Sequence, residues 1–344
     1  MPKLYDSAPF MAAAVSTVAV LGGAYNAYQL YQKNKKNRLP LPEEWVHVGY
    51  LKQIYAYPIK SCAPFPLNQA ECSSLGLKAG WLRDRILMII DNEDNNLITA
   101  RTYPEMLKIK TTFNKAIVTL KHPKMEPIDI NLAEVILMKK LIHTNVWTSP
   151  VTAFDCGQEV NAWITKCLDI EDTSFTLVYY GHEKHRVIAG ATAMWPNIYD
   201  RMKQSDTGAF CDEVNCHVLS EASLDDLNSR LKEVQVTDTH FRPNIVLSGG
   251  KPYDEDNWKF VKIGENIFQV IKPCIRCLFT TRDPETGIQN KNMEPLTTLK
   301  SYRLAKNSAE LKIAGDSPLM GIHMALRSGP GGKVSVNEPF YVTY

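Results

Sequence analysis

From Trp45 to the C-terminus the apolar residues come in short runs that turn-forming residues cut off before most of them reach helical length. Residues 45–59 alternate in part, and residues 85–91 form a continuous apolar strand candidate. The polar stretch 91–96 followed by Leu-Ile-Thr-Ala reads as a hairpin turn between two strands. Further strand candidates lie at 116–120, 175–180, 244–247, 260–263, 267–271, 277–281, 334–336 and 340–342. Only two stretches carry a helical period. Residues 157–168 place Val160, Trp163, Ile164 and Cys167 on one face. Ser223 to Asp226 reads as a capping box opening a helix with Leu224, Leu227 and Leu231 aligned. Many short strands with few helices predict an α+β chain, predominantly β and barrel-like.

Ahead of this body, residues 9–30 carry no charge. About 20 residues at 1.5 Å each span roughly 30 Å of hydrocarbon, and the basic cluster Lys33, Lys35, Lys36, Arg38 follows the apolar run. A basic flank on that side keeps the body in the cytosol, which predicts a single-pass signal anchor and not a cleaved signal peptide. A long buried core helix is the alternative. The expected organisation is a tail at 1–8, a transmembrane anchor at 9–30, a basic and proline-rich linker at 31–42, and two β-rich domains at 43–175 and 176–344. The formal net charge is +2, and the first 40 residues alone carry +4, so the body is mildly acidic. That excludes a nucleic-acid binder working by bulk electrostatics. Any anion must be met by a few placed cations.

In a cytosolic body the eight cysteines are no disulfide framework. Most are expected to be buried small hydrophobes. Cys274 and Cys277 form a Cys-x-x-Cys pair, open to zinc, dithiol or single-ligand readings. Zinc needs two more ligands, and Cys211, Cys216 and His217 are irregularly spaced for it. A dithiol would open a helix, whereas Leu-Phe-Thr-Thr after Cys277 is a strand former. What remains is a thiolate flanked by Lys272, Arg276 and Arg282, suited to a soft metal. Three other segments have the character of anion cradles: Tyr57-Pro-Ile-Lys60-Ser61, Leu82-Arg-Asp-Arg85 and Phe241-Arg242-Pro-Asn244. Each alone is ordinary, and Asp84 has a plausible partner in Arg83.

In this order, YPIKSC (57–62), LRDR (82–85), LSEASLDDLN (219–228), FRPNIVLSG (241–249) and CIRCLFTTRDPETG (274–287) resemble the MOSC family with its N-terminal β-barrel partner domain. With the apolar run in front, the resemblance is to its mitochondrial, amidoxime-reducing branch, over nearly all of the chain from residue 45. It implies a molybdenum cofactor (Mo-molybdopterin) whose metal is completed by Cys277, not Cys274. It further implies that Lys60, Ser61, Arg85, Arg242, Asn244 and Arg276 hold the cofactor's phosphate and pterin. Thr207 is a weaker match, because the stretch after it (GAFCDEVNC) is longer than the pattern. The implied activity is reduction of N-hydroxylated compounds such as amidoximes, hydroxylamines and hydroxamic acids. Electrons would come from NADH through cytochrome b5 reductase and cytochrome b5, at the mitochondrial outer membrane with the catalytic part facing the cytosol. The alternatives are a sulfur-carrying MOSC protein, for which no pyridoxal-phosphate domain stands upstream, and a cofactor-binding or delivery module. Ser223 reads as a cap and Asp283 as the start of a turn.

Overall fold

The computed structural model describes residues 41–187, 195–328 and 331–344. The expected anchor at 9–30 lies outside them; among the described residues no helix is long and apolar enough to cross a membrane.

Seven strands close a barrel. Ile245–Ser248 lies parallel to His217–Ser220, and the helix Glu221–Arg230 makes the crossover that parallel pairing requires. The ring continues antiparallel through Leu319–Leu326, Asn266–Ile275, Phe260–Ile263, Pro339–Thr343 and Val46–Ala56, which pairs back onto Ile245–Ser248. One ring member, Val46–Ala56, is drawn from the N-terminal part of the chain. Alternation along each strand fills the interior with Leu51, Ile54, Val218, Ile245, Leu247, Val261, Ile263, Phe268, Ile322, Met324 and Phe340.

A second core gathers the sheet Leu141–Val146, Ser149–Asp155, Phe175–Tyr179 and Leu87–Asp91. Against it lie the three-stranded meander Lys110–Asn114, Ile117–His122, Met125–Asn131 and the helix Gln158–Leu168. That helix buries Val160, Trp163, Ile164 and Cys167, as its period predicts. Its entry is fixed by Asp155, whose carboxylate accepts from the Gly157 amide and the Asn161 side chain, both at 2.9 Å. Asp169 ends it in the left-handed conformation.

Four local expectations change. The hairpin at 91–100 narrows to an isolated bridge between Ile90 and Leu97, because Asp91 and Asp94 turn their carboxylates onto the amides of Glu93 and Asn96. Residues 278–281 form a 3-10 turn and not a strand, because the Thr280 and Thr281 hydroxyls bond back to the carbonyls of Cys277 and Leu278. The helix expected to open at Ser223 begins two residues earlier, at Glu221. Ser223 is buried inside it, donating to the buried Glu255 carboxylate (2.7 Å) and accepting from the Tyr253 amide (2.7 Å), so it joins helix to loop instead of capping.

Candidate active site

The chemistry collects at one rim of the barrel, where Val46–Ala56 and Asn266–Ile275 end and His217–Ser220 and Ile245–Ser248 begin. A cavity of about 200 Å³ opens there. Lys60, Ser61, Arg85, Arg242, Asn244, Arg276 and Cys277 all line it, although they come from segments up to 217 residues apart in sequence. Thr207 does not line it: it is fully buried, with its hydroxyl on the Arg186 carbonyl (2.5 Å).

The first two cradles are zipped together by backbone. Arg85 N donates to Tyr57 O (2.8 Å), Leu87 N to Pro58 O (2.9 Å) and Lys60 N to Leu87 O (2.8 Å). Asp84, with no exposed surface, accepts from the Tyr57 amide (2.8 Å) and from Arg85 Nη1 (2.6 Å), so its partner is Arg85 and not Arg83. The third cradle is sewn in by Asn244, whose amide donates to His217 O (2.8 Å) while its carbonyl accepts from Tyr55 N (2.8 Å). Ser61, Arg85 and Arg242 all hold positive φ (68°, 47° and 54°). For residues other than glycine such backbone costs about 1–3 kcal/mol each and concentrates at functional sites.

The cations divide into committed and available groups. Arg276 is committed: Nε and Nη2 donate to Met320 O (2.8 and 2.5 Å), Nη1 donates to Phe241 O (2.9 Å), and Nη2 also meets His217 Nε2 (2.5 Å). The neutral Asn244 side chain beside them is committed as well, with Oδ1 accepting from His217 N (3.1 Å) and Nδ2 donating to Tyr55 O (3.2 Å). Arg242 is available. Its guanidinium lies 4.1 Å from the centre of the Tyr57 ring and 5.1 Å from that of Phe279, and its buried Nη2 has no hydrogen-bond partner. Burial pushes its pKa down to about 10. The buried Tyr57 hydroxyl beneath it is unpartnered too. Lys60, 5% exposed, donates to Phe210 O (2.8 Å) and to Asp212 Oδ1 (2.5 Å).

Cys277 stands at the head of the 3-10 turn, the single exposed cysteine of the eight. Cys274, three residues earlier, is buried in the wall 3.0 Å from His323 Nε2, and burial pushes its thiol pKa up. Among the described residues no group of three or more His, Cys, Asp or Glu could hold a metal ion, so the zinc reading finds no site.

Several wall residues carried no sequence signal beyond His217's place in the irregular zinc set. His217 and His323 lie with ring centres 5.6 Å apart, and burial holds both imidazoles well below the ordinary histidine pKa. Glu213 pairs with the buried Lys272, and Asp212 with Lys60. Trp147 stands at the mouth, donating its indole N–H to Asp212 Oδ1 (2.5 Å), with the Arg101 guanidinium 4.6 Å from its ring centre. The one hint was the long GAFCDEVNC stretch, which delivers Cys211, Asp212, Glu213 and Val214 to the cavity.

The family model for the MOSC N-terminal beta barrel domain matches residues 48–171, and that for the MOSC domain matches residues 205–341. Mitochondrial amidoxime-reducing component 1 of Mus musculus is 36% identical over 331 residues, covering 96% of this chain and 91% of that one. The Homo sapiens component 1 is 37% identical over 300 residues (86% and 83%), and the Bos taurus component 2 is 36% identical over 294 residues (86% and 83%). Identity at this level over most of both chains places the protein: it belongs to the MOSC family, in the group formed by the mitochondrial amidoxime-reducing components.

Proposed function

We propose that this protein is a molybdenum-cofactor-dependent reductase that removes oxygen from N-hydroxylated compounds, amidoximes first among them. The observation that carries the reading is the placement of the one exposed cysteine, Cys277, in a cavity that also offers a buried, unpartnered guanidinium nitrogen on Arg242.

The residues present fit such a cofactor. A phosphate tail needs fixed, charge-assisted donors. Arg242 Nη2 supplies one that is unpartnered, Lys60 Nζ has three N–H groups of which Phe210 O and Asp212 Oδ1 take two, Arg85 adds a third cation and Ser61 a neutral hydroxyl at a left-handed turn. A soft metal needs a thiolate, and Cys277 is the thiol that reaches the cavity from an exposed position. Arg276 and Asn244 serve the same site differently, because their side-chain polar atoms are spent on holding Met320, Phe241, Tyr55 and His217 in place. When bound, the cofactor supplies a metal centre able to pass two electrons to the substrate. The overall conversion takes the N–OH group, two electrons and two protons to N–H and water. The protein's part is to fix the cofactor's orientation, charge and access.

Electrons come, in this proposal, from NADH through cytochrome b5 reductase and cytochrome b5. The mitochondrial names of the relatives support a mitochondrial location. The finer placement, a single-pass anchor at 9–30 in the outer membrane with the catalytic body in the cytosol, rests on the apolar run and its basic flank. Residues 1–38 fused to a fluorescent reporter should carry it to mitochondria, and a diffuse signal would contradict that placement.

The activity is tested by supplying the purified protein with benzamidoxime, NADH, cytochrome b5 and its reductase. Benzamidine should form with the native chain and not with Cys277→Ser. A native preparation holding stoichiometric molybdenum yet inert toward amidoximes, hydroxylamines and hydroxamic acids would overturn the proposal in favour of sulfur carriage or cofactor delivery.

A further inference from the structure

Resting on that reading of the cavity, the geometry points to Asp212 as an internal anion that occupies Lys60 and yields the position to an incoming phosphate, moving Trp147 as it goes.

Lys60 is an ammonium with 5% of its surface exposed. A buried ammonium is costly unless it is paired and hydrogen-bonded. Burial pushes the Lys60 pKa down, and the Asp212 carboxylate opposes that push. The Phe210 carbonyl supplies a dipole at 2.8 Å, and Asp212 Oδ1, at 2.5 Å, supplies the counter-charge.

The two partners are unequally fixed. The Lys60 side chain is 6% exposed, whereas that of Asp212 is 57% exposed, so water can take over the carboxylate's hydrogen bonds when it leaves, while the ammonium must be met by another anion. Asp212 is delivered by the 208–216 stretch, whose neighbour Glu213 stays tied to Lys272. The second group on Asp212 Oδ1 is the Trp147 indole N–H (2.5 Å), itself 42% exposed and stacked beneath Arg101. Departure of the carboxylate therefore releases the indole.

A phosphate drawn to Arg242 Nη2, Arg85 and Lys60 enters beside this carboxylate. Two anions sharing one ammonium repel, and one must move or take a proton. A phosphate monoester dianion, with three acceptor oxygens, can replace both the charge and the hydrogen bond. A monovalent anion brings Lys60 no more charge than the carboxylate it would have to displace. Asp212 thus sets a threshold that excludes weak anions from the site.

The test uses the full chain purified without molybdenum cofactor, titrated with inorganic phosphate and separately with chloride at matched ionic strength. Trp147 emission is isolated by difference from Trp147→Phe. Phosphate should shift the emission of the native chain toward that of Asp212→Asn measured without phosphate, and Asp212→Asn should bind phosphate about tenfold more tightly. Lys60→Met should abolish both effects. Equal phosphate affinity in native and Asp212→Asn chains would overturn the exchange, as would phosphate binding that leaves Trp147 emission unmoved. An adventitious ion only would appear as binding that Lys60→Met retains, and that too overturns it. Because no turnover is measured, failure here leaves the reductase reading standing, and an inert but phosphate-responsive protein would fail that reading alone.

Discussion

Arg276 and Arg242 line the same cavity and carry the same charge, yet they should respond oppositely to substitution. Arg276 spends its guanidinium on three buried acceptors: Met320 O, Phe241 O and His217 Nε2. In Arg276→Lys a single ammonium replaces a planar fork and cannot reach both Phe241 O on one arm and the Met320 O and His217 Nε2 pair on the other. At least one buried acceptor is then left without a donor, at about 1–3 kcal/mol. With an unfolding entropy near 2.1 cal/mol/K per residue over roughly 300 folded residues, that corresponds to a fall of about 2–5 °C in Tm. Arg242→Gln removes a guanidinium whose Nη2 has no partner and whose charge the surroundings disfavour. It should leave the Tm of cofactor-free protein within about 2 °C of native, since the burial cost it relieves offsets the forfeited cation–π stacking on Tyr57 and Phe279. Its defect should be weakened retention of the cofactor. Calorimetry on cofactor-free protein, paired with cofactor content after dialysis of loaded protein, separates the two. If Arg276→Lys leaves Tm unchanged while Arg242→Gln lowers it by several degrees, the division into committed and available cations is wrong.

Three further outcomes follow from the same geometry. Cys277→Ser should lose molybdenum and amidoxime reduction, while Cys274→Ser, whose sulfur is buried against His323, should retain most of both; equal loss in the two would defeat the ligand assignment. His217 and His323 are held neutral, with folded pKa values below those of the unfolded chain, so the unfolded state binds more protons in acid and stability should fall as pH drops below about 6.5. His323→Phe should flatten that slope by up to about 1.4 kcal/mol per pH unit in urea titrations between pH 7 and 5, and an unchanged slope would refute its part. Trp163→Ala should cost about 3–5 kcal/mol by equilibrium unfolding, since the indole is buried against the second core and donates to Glu126 O; a loss under 1 kcal/mol would contradict the packing.

The parts of the molecule written locally were legible in the sequence. Phe260–Ile263, Phe175–Tyr179 and the helix Gln158–Leu168 follow from apolar period and turn chemistry, because both partners of each contact obey the same pattern. The segment 278–281 misled because its β-branched threonines satisfy a strand template, whereas their hydroxyls close a 3-10 turn onto the preceding carbonyls. Ser223 misled in the same way: a capping pattern does not reveal that a buried Glu255 is waiting 32 residues on. At the cavity, the cradle motifs were readable from residue type and order, but the split between Arg276 and Arg242 was not. It depends on which carbonyls the barrel brings within reach, and Met320 and Phe241 enter only through tertiary pairing. His323 and Trp147 stood outside every motif for the same reason, and His217 entered only as an irregularly spaced zinc candidate.

The central claim is that Cys277 and the cations around it hold a molybdenum–pterin group. It is tested most directly by elemental analysis and oxidised-pterin fluorescence on the native full chain and on Cys277→Ser, both purified from cells able to make that cofactor. The account predicts one molybdenum and one pterin per native chain, and loss of the metal in the variant. Zinc, or no metal at all, in a well-folded native preparation would contradict it.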